Sequence, residues 1–288
     1  MKNGKIFSLT GKFFTIILLY SLFTLTVFAQ EKIVFGITKT VFRGNLKVFT
    51  EWKNYLEKEI KIPIEIKFSR TYSEMSSMIQ RGEVDIAYIG NMMYIKLKSK
   101  NIVQLLAIPQ SDDQKLSYSY IIAKKGNTYN SLFDFKNKLF AYPDPESHSG
   151  VFAPSYKLLK NNIRPNLFFS KIIYTYEHSE SINAVLESFV DGASIDSLVY
   201  EQFIKKYPKK SSDLYIVEKL GPYTMSPIVS YSFLDDKIYQ KIQKSLINMH
   251  NDKKGKEILN TISLSKLKLP ENETYKNIQD ILDFIESY

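Results

Sequence analysis

Apolar and polar positions follow two rhythms along this chain. Ile33-Val34-Phe35-Gly36-Ile37 is a short unbroken apolar run and predicts a strand. Leu46, Phe49, Trp52, Leu56 and Ile60 then recur at helical spacing. Ile62 to Phe68 alternates with period two, the pattern of a strand with one buried face. Met75 to Ile79 reads as a short helix, and Val84-Asp85-Ile86-Ala87-Tyr88-Ile89 as a buried strand ending at Gly90. Strands alternating with helices argue for an α/β fold with largely parallel sheets.

A similar unit recurs about a hundred residues downstream. Ile182 to Phe189 predicts a helix, and Val190-Asp191-Gly192-Ala193-Ser194-Ile195 a strand, as Val84-Asp85-Ile86-Ala87 follows its own helix. Two units of one kind predict two lobes of related topology. Ser111-Asp112-Asp113-Gln114 and Gly221-Pro222 are the expected crossings between them. The first lobe is then built from 30–116 and 223–288, and the second from 117–222. The tail from Asp235 to Tyr288 is helical in pattern, with a break at Pro270. A chain that crosses twice makes a hinge around a cleft.

The first 29 residues change the expected compartment. They hold Lys2, Lys5 and Lys12 and no acid, then a run from Phe13 to Phe28, then Val27-Phe28-Ala29 before Gln30. That order is a secretory signal, cleaved after Ala29, which places the mature protein in the periplasm. The alternative is an uncleaved anchor, but the run is shorter than the roughly 20 residues a membrane span needs. Cleavage lowers the net charge from +9 to +6 by removing the three lysines. The remaining charge is interleaved with acids, as in 51–61, so no basic stripe suited to nucleic acid is present. A modest positive field suits capture of a small anion.

Cysteine is absent, which excludes disulfides, thiol catalysis, Cys-ligated zinc, iron–sulfur chemistry and a lipoprotein anchor. The histidines are His148, His178 and His250, with no metal-ligand spacing among them. No metal and no cofactor is expected.

The segment 142–154 carries the most chemistry. Pro143, Asp144 and Pro145 mark a tight loop, and Ser147, His148 and Ser149 lead through Gly150 into a helical stretch. A lone Ser at such a place is commonly a helix cap. Here two hydroxyls flank a His at a helix start, where free N–H groups and the positive helix end form an anion pocket. Gly150 leaves room for close approach. The segment lacks the Lys of a nucleotide P-loop.

Asp144-Pro145-Glu146-Ser147-His148-Ser149-Gly150 with Pro154 resembles the DPxSxSG hallmark of the phosphate/phosphite/phosphonate-binding (PhnD-type) family of ABC-transporter solute receptors. Phe35-Gly36-Ile37 and Asn45-Leu46-Lys47 are similar to the family's opening strand and helix. Val84-Asp85-Ile86-Ala87-Tyr88-Ile89-Gly90-Asn91 is similar to its VDIA-x-x-GN. Ser131 to Lys136, His178-Ser179-Glu180 with Asn183-Ala184-Val185, and Pro227-Ile228-Val229 extend the likeness over residues 32 to 250.

The resemblance implies a two-lobed type II periplasmic-binding-protein fold with the ligand between lobes joined by two crossovers. Carried over by position, Ser147, His148, Ser149 and Gly150 take the oxyanion, with Thr replaced by His at 148. His178 donates a ring N–H from the second lobe and Tyr72 its hydroxyl from the first. Without the resemblance, His178 reads as a cap or surface residue, and Tyr72 is one of 20 Tyr. Asp196, near a strand's C-terminal end, either orients a ligand hydroxyl or protonated oxygen or caps the next helix. Asp85 and Asp191, at strand starts, read as structural.

Departures bear on the ligand. The family's aminoethylphosphonate binders hold the amine with acids at positions that correspond to Leu198 and Ser226. A buried ammonium without a counter-charge is costly. A family Tyr falls at Ile89, and Tyr88, one place earlier, faces the other side of the strand. Phosphate, phosphite or methylphosphonate is therefore the expected ligand. The implied function is a non-enzymatic receptor, a single chain acting alone, that hands a small phosphorus oxyanion to an ABC permease in the inner membrane. The alternative is a binding domain feeding a membrane histidine kinase or chemoreceptor. A secreted phosphoesterase has the weakest support, resting on Ser149 and His178 as a nucleophile–base pair.

Overall fold

A computed structural model of the chain describes residues 32–38, 46–111, 116–271 and 273–288. The expected signal and its cleavage after Ala29, Asn45 and the crossing at Asp112-Asp113-Gln114 lie outside those residues.

Two sheets organise the molecule. The six-stranded sheet has β1 (Ile33–Thr38), β2 (Ile64–Ser69), β3 (Ile86–Tyr88), β4 (Val103–Gln110), β10 (Ile228–Tyr231) and β11 (Lys266–Lys268), in the order β11-β4-β10-β3-β1-β2. The five-stranded sheet has β5 (Ser117–Lys124), β6 (Leu139–Tyr142), β7 (Lys171–Tyr174), β8 (Gly192–Asp196) and β9 (Leu214–Tyr223), in the order β7-β6-β8-β5-β9. The chain passes from the first sheet to the second between β4 and β5 and returns between β9 and β10.

The sheets are mixed, which corrects the expectation of largely parallel ones. β1 pairs parallel with β2 and β3, and β6 with β7 and β8. By contrast β10 runs antiparallel to β3 and β4, β11 to β4, and β5 to β8 and β9. A parallel neighbour needs a crossover, usually a helix, to bring the chain back to the same end. β5 and β10 arrive straight from the other sheet without one, so they run reversed.

Helix α1 (Leu46–Ile60) shows why the helical rhythm was readable. Phe49, Trp52, Leu56 and Ile60 are all buried along one face. The Trp52 ring sits edge-on to Phe35 of β1 at 5.6 Å. Helix α2 (Tyr72–Gln80) and helix α3 (Asn91–Lys98) follow β2 and β3. In the second half, α4 (Ala153–Lys160), α5 (His178–Leu186) and α6 (Ser197–Lys206) flank the five-stranded sheet. α5 starts earlier and stops three residues sooner than its pattern predicted. Ser188 takes φ +59°, which turns the chain and leaves Phe189 exposed.

The tail adds α7 (Asp236–Asn248), α8 (Lys253–Thr261) and α9 (Lys276–Glu286). α7 and α8 pack on α1, whereas α9 touches both α3 and α4. Phe284 of α9 meets Tyr156 of α4 edge-on at 5.1 Å, and the Tyr288 hydroxyl donates to Asn162 Oδ1 at 3.2 Å. The strand-start aspartates make structural bonds. Asp85 accepts from the Val34 N–H at 2.7 Å and Asp191 from the Leu139 N–H at 2.8 Å, each tying two strands together.

Candidate functional site

One cleft gathers the starts of several helices. Tyr72 is the first residue of α2, Gly90 caps α3 and Asn91 begins it, His178 begins α5, and Asp196 caps α6. The fifth start is a π-helical turn, His148–Phe152, that runs into α4. All of these line the same cleft. The first N–H groups of a helix have no acceptor within it and sit at its positive dipole end, so the convergence of these starts favours an anion. No Lys or Arg lines the cleft among the described residues.

The π turn is built around Ser147. Its hydroxyl accepts from the Gly150 N–H at 3.0 Å, and its carbonyl from the Val151 N–H at 2.8 Å. That leaves the amides of His148 and Ser149, at the tip of the turn, for a ligand. Gly150 itself stands behind the turn and does not line the cleft. A Cβ there would fall 2.5 Å from the Pro143 ring, so the glycine serves close packing of the loop and not approach of the ligand.

His178 is buried, and its Nδ1 accepts the Asp196 N–H at 3.1 Å. The proton of the neutral ring therefore sits on Nε2. Burial pulls its pKa down to about 3, so the ring is neutral at physiological pH and can donate a single N–H. His148 is also pulled down to about 3 by burial, and its ring stands edge-on to Tyr223 at 4.4 Å. Its Nε2 has no partner among the described residues.

The tyrosine hydroxyls stay protonated. Burial, and then Asp144 and Asp196, push Tyr72 well above its ordinary range. Burial, and then Asp196, raise Tyr88 likewise. Among the described residues Asp196 is the one acid on the cleft wall. Burial raises its carboxyl to about 6, against hydrogen bonds from the Leu198 and Val199 amides and the Ser149 hydroxyl. It caps α6 by accepting the Leu198 N–H at 2.9 Å while its other face meets the cleft.

The structure thus brings Tyr72, Ser147, His148, Ser149, His178 and Asp196 to one cleft, with Gly150 one layer behind. Tyr88 also lines the cleft, contrary to the strand-alternation argument. Ile89, the position thought to face it, is wholly buried in the core. Parity already marked Tyr88 as sharing a face with Ile86, yet at the strand's end that same face opens on the cleft. The start of α3 at Gly90 and Asn91, and Ser117, were not singled out from the sequence. Among the described residues the remaining wall is Leu198, Met225 and Ser226, with no acid.

The two sides of the cleft touch at its mouth. The Asp144 carboxylate accepts the Tyr72 N–H at 3.3 Å and the Glu146 N–H of its own loop at 2.8 Å. Lys96 of α3 lies 3.5 Å from Glu146.

Comparison with known proteins gives a consistent answer. A family model described as an ABC transporter, phosphonate, periplasmic substrate-binding protein matches residues 40–275. The phosphonates-binding periplasmic protein of Escherichia coli is 28% identical over 240 residues, 80% of this chain and 70% of its own length. The probable ABC transporter phosphite binding protein PhnD1 of Prochlorococcus marinus is 23% identical over 282 residues, 92% of this chain and 93% of its own. Its solved complex with methylphosphonate aligns with a TM-score of 0.80 at 19% identity, over 90% of this chain and 100% of that one. A binding-protein component of an ABC phosphonate transporter from Pseudomonas aeruginosa aligns with a TM-score of 0.83 at 23% identity, over 89% and 87%. The fold is the α/β type II periplasmic-binding-protein fold of these structures. The chain belongs to the phosphonate family of periplasmic substrate-binding proteins of ABC transporters.

Proposed function

We propose that the mature chain closes lobes 30–116 with 223–288 and 117–222 on a small phosphorus oxyanion and hands it unchanged to an ABC permease. The observation that carries this reading is the meeting of five helix starts on one cleft, with no basic residue there among the described residues. Uncharged donors hold an oxyanion well when many point inward, because hydrogen bonds to a charged group are short and strong. The amides of His148 and Ser149, the Nε2–H of His178 and the hydroxyls of Ser147, Tyr72 and Tyr88 are those donors.

Asp196 fits the same scheme as an acceptor. A half-buried carboxylate beside an oxyanion is tolerable when a proton lies between them, so the ligand is held as its hydrogen-bearing form, P–O–H donating to Asp196. Leu198 and Met225 pack together in one apolar cluster and offer a wall to hydrogen or methyl on phosphorus. That favours phosphite or methylphosphonate over an amine-bearing phosphonate, whose ammonium would meet no acid there.

The cleft is arranged for binding and not for chemistry. The Nδ1 of His178 is occupied by the Asp196 N–H, so its proton sits on Nε2 and the ring has no free lone pair to take a proton from Ser149. The serine and histidine therefore do not form a nucleophile–base pair. Titration calorimetry of the chain from Gln30 with phosphate, phosphite, methylphosphonate, 2-aminoethylphosphonate and sulfate tests the reading. Tight binding of phosphite or methylphosphonate is expected, with the amine-bearing ligand much weaker. Silence across the panel would refute an oxyanion site.

A further inference from the structure

Two buried hydroxyls stand behind the anion-binding turn. Ser119 on β5 and Ser194 on β8 are both fully buried, on adjacent antiparallel strands, with their oxygens 3.4 Å apart. The Ser119 hydroxyl donates to the Ser149 carbonyl at 2.5 Å. Ser194 Oγ lies 2.8 Å from the carbonyls of both Ser149 and Gly150 and shares its proton between them. The sheet thus reaches up to the stretch of backbone that carries the His148 and Ser149 amides.

The turn needs these partners for a reason written in the chain. The Ala153 N–H bonds back to the His148 carbonyl, the five-residue register of a π-helix. In that register the Ser149 carbonyl would look to the N–H of residue 154. In the ordinary α register the Gly150 carbonyl would look to the same group. Residue 154 is proline and has no N–H. A buried carbonyl without a donor is costly, so a donor must come from elsewhere. It comes from the two serines of the five-stranded sheet.

An anchored carbonyl fixes its peptide plane, and two consecutive anchored planes fix the axis of the turn. The axis sets where the amides of His148 and Ser149 point. We propose that Ser119 and Ser194 are positioning residues for oxyanion capture, aiming the His148 and Ser149 amides by holding the Ser149 and Gly150 carbonyls to the sheet. Neither serine touches the ligand. The proposal rests on the reading of the cleft as an oxyanion site and adds the support that preorganises it.

The test uses the mature chain with methylphosphonate, phosphite and phosphate as probes. Calorimetry on the unaltered protein comes first. Silence there would overturn the cleft reading, and this inference with it. With a ligand in hand, Ser119→Ala with Ser194→Ala is expected to bind about tenfold or more weakly, the factor matching roughly one lost net hydrogen bond. Ser194→Thr keeps the hydroxyl and is expected to bind as the unaltered protein does. Nuclear magnetic resonance supplies a readout that general loosening of the fold would not move. In the unaltered protein the amide protons of His148 and Ser149 shift downfield on saturation with ligand, and in the double variant that shift shrinks. Equal affinity and equal amide shifts in the double variant would overturn the proposal. Should the double variant not fold, Ser119→Ala alone is read by the same amide shifts, and shifts equal to those of the unaltered protein would overturn it too.

Discussion

Each donor in the cleft has its direction set by a neighbour. His178 can offer only Nε2–H, because its Nδ1 is held by the Asp196 amide. Removing the His178 side chain, His178→Ala, is expected to weaken oxyanion binding by about 1.5–3 kcal/mol, the value of one hydrogen bond to a charged group. Calorimetry reads it directly, and an unchanged affinity would remove His178 from the site. The titrating groups make a second prediction. His148 and His178 have folded pKa values of about 3, below the roughly 6.5 of the unfolded chain, so the stability they contribute is present above about pH 6.5 and is lost as pH falls toward 3. Asp196 has the opposite sign. Its folded value of about 6 exceeds the unfolded value of about 3.9, so its contribution is present at low pH and is lost as pH rises through 6. The ligand-free protein should therefore melt lower at pH 4 than at pH 7. Asp196→Asn, which still caps α6, should steepen that fall. A shallower fall in scanning calorimetry of the variant would contradict the buried acid.

At the scale of elements, the π turn joins loop, sheet and helix, and Gly150 is its tightest point. Gly150→Ala would drive a Cβ to 2.5 Å from Pro143 and 2.9 Å from Ser147 Oγ. A loss of about 1–3 kcal/mol in denaturant unfolding is expected, as for other overpacked sites, with weaker ligand binding because the turn must shift. Helix α1 and the turn at Ser147 were legible in the sequence because their signals are local: a buried stripe at helical spacing, and hydroxyls and a glycine within four positions. Strand direction was not, since side-chain alternation is the same in parallel and antiparallel pairs and only the path between sheets decides it. Tyr88 was misjudged from alternation because the strand's end opens on the cleft. Ser119 and Ser194 carried no signal at all. A serine in an apolar strand shows its purpose only when the carbonyl opposite it is known.

Across the whole molecule, the same residues serve binding and closure. Asp144 belongs to the loop before the turn yet accepts the Tyr72 amide from the other side of the cleft, and Lys96 faces Glu146 beside it. Helix α9 rests on both α3 and α4. A ligand shifts such a protein toward closure only through contacts that the open state lacks. Donors on both sides of the cleft meet that condition, with Tyr72 and Tyr88 on one side and Ser149 and His178 on the other.

Among the described residues no Lys or Arg stands on the cleft wall, which has a consequence for the medium in which the protein works. Dipoles, unlike ions, gather no atmosphere of counterions that must be shed when a ligand arrives. Between about 0.01 M and 1 M salt the screening length falls from about 30 Å to about 3 Å. The dissociation constant should nevertheless change by less than about tenfold over that range, because the contacts that hold the ligand are short and enclosed. A steep loss of affinity, followed by titration at several salt concentrations, would mean that a lysine from outside the cleft reaches the ligand. A receptor tuned in this way would scavenge equally well in fresh and in salty water, and it would release its cargo as soon as the lobes part and water competes for the same amides.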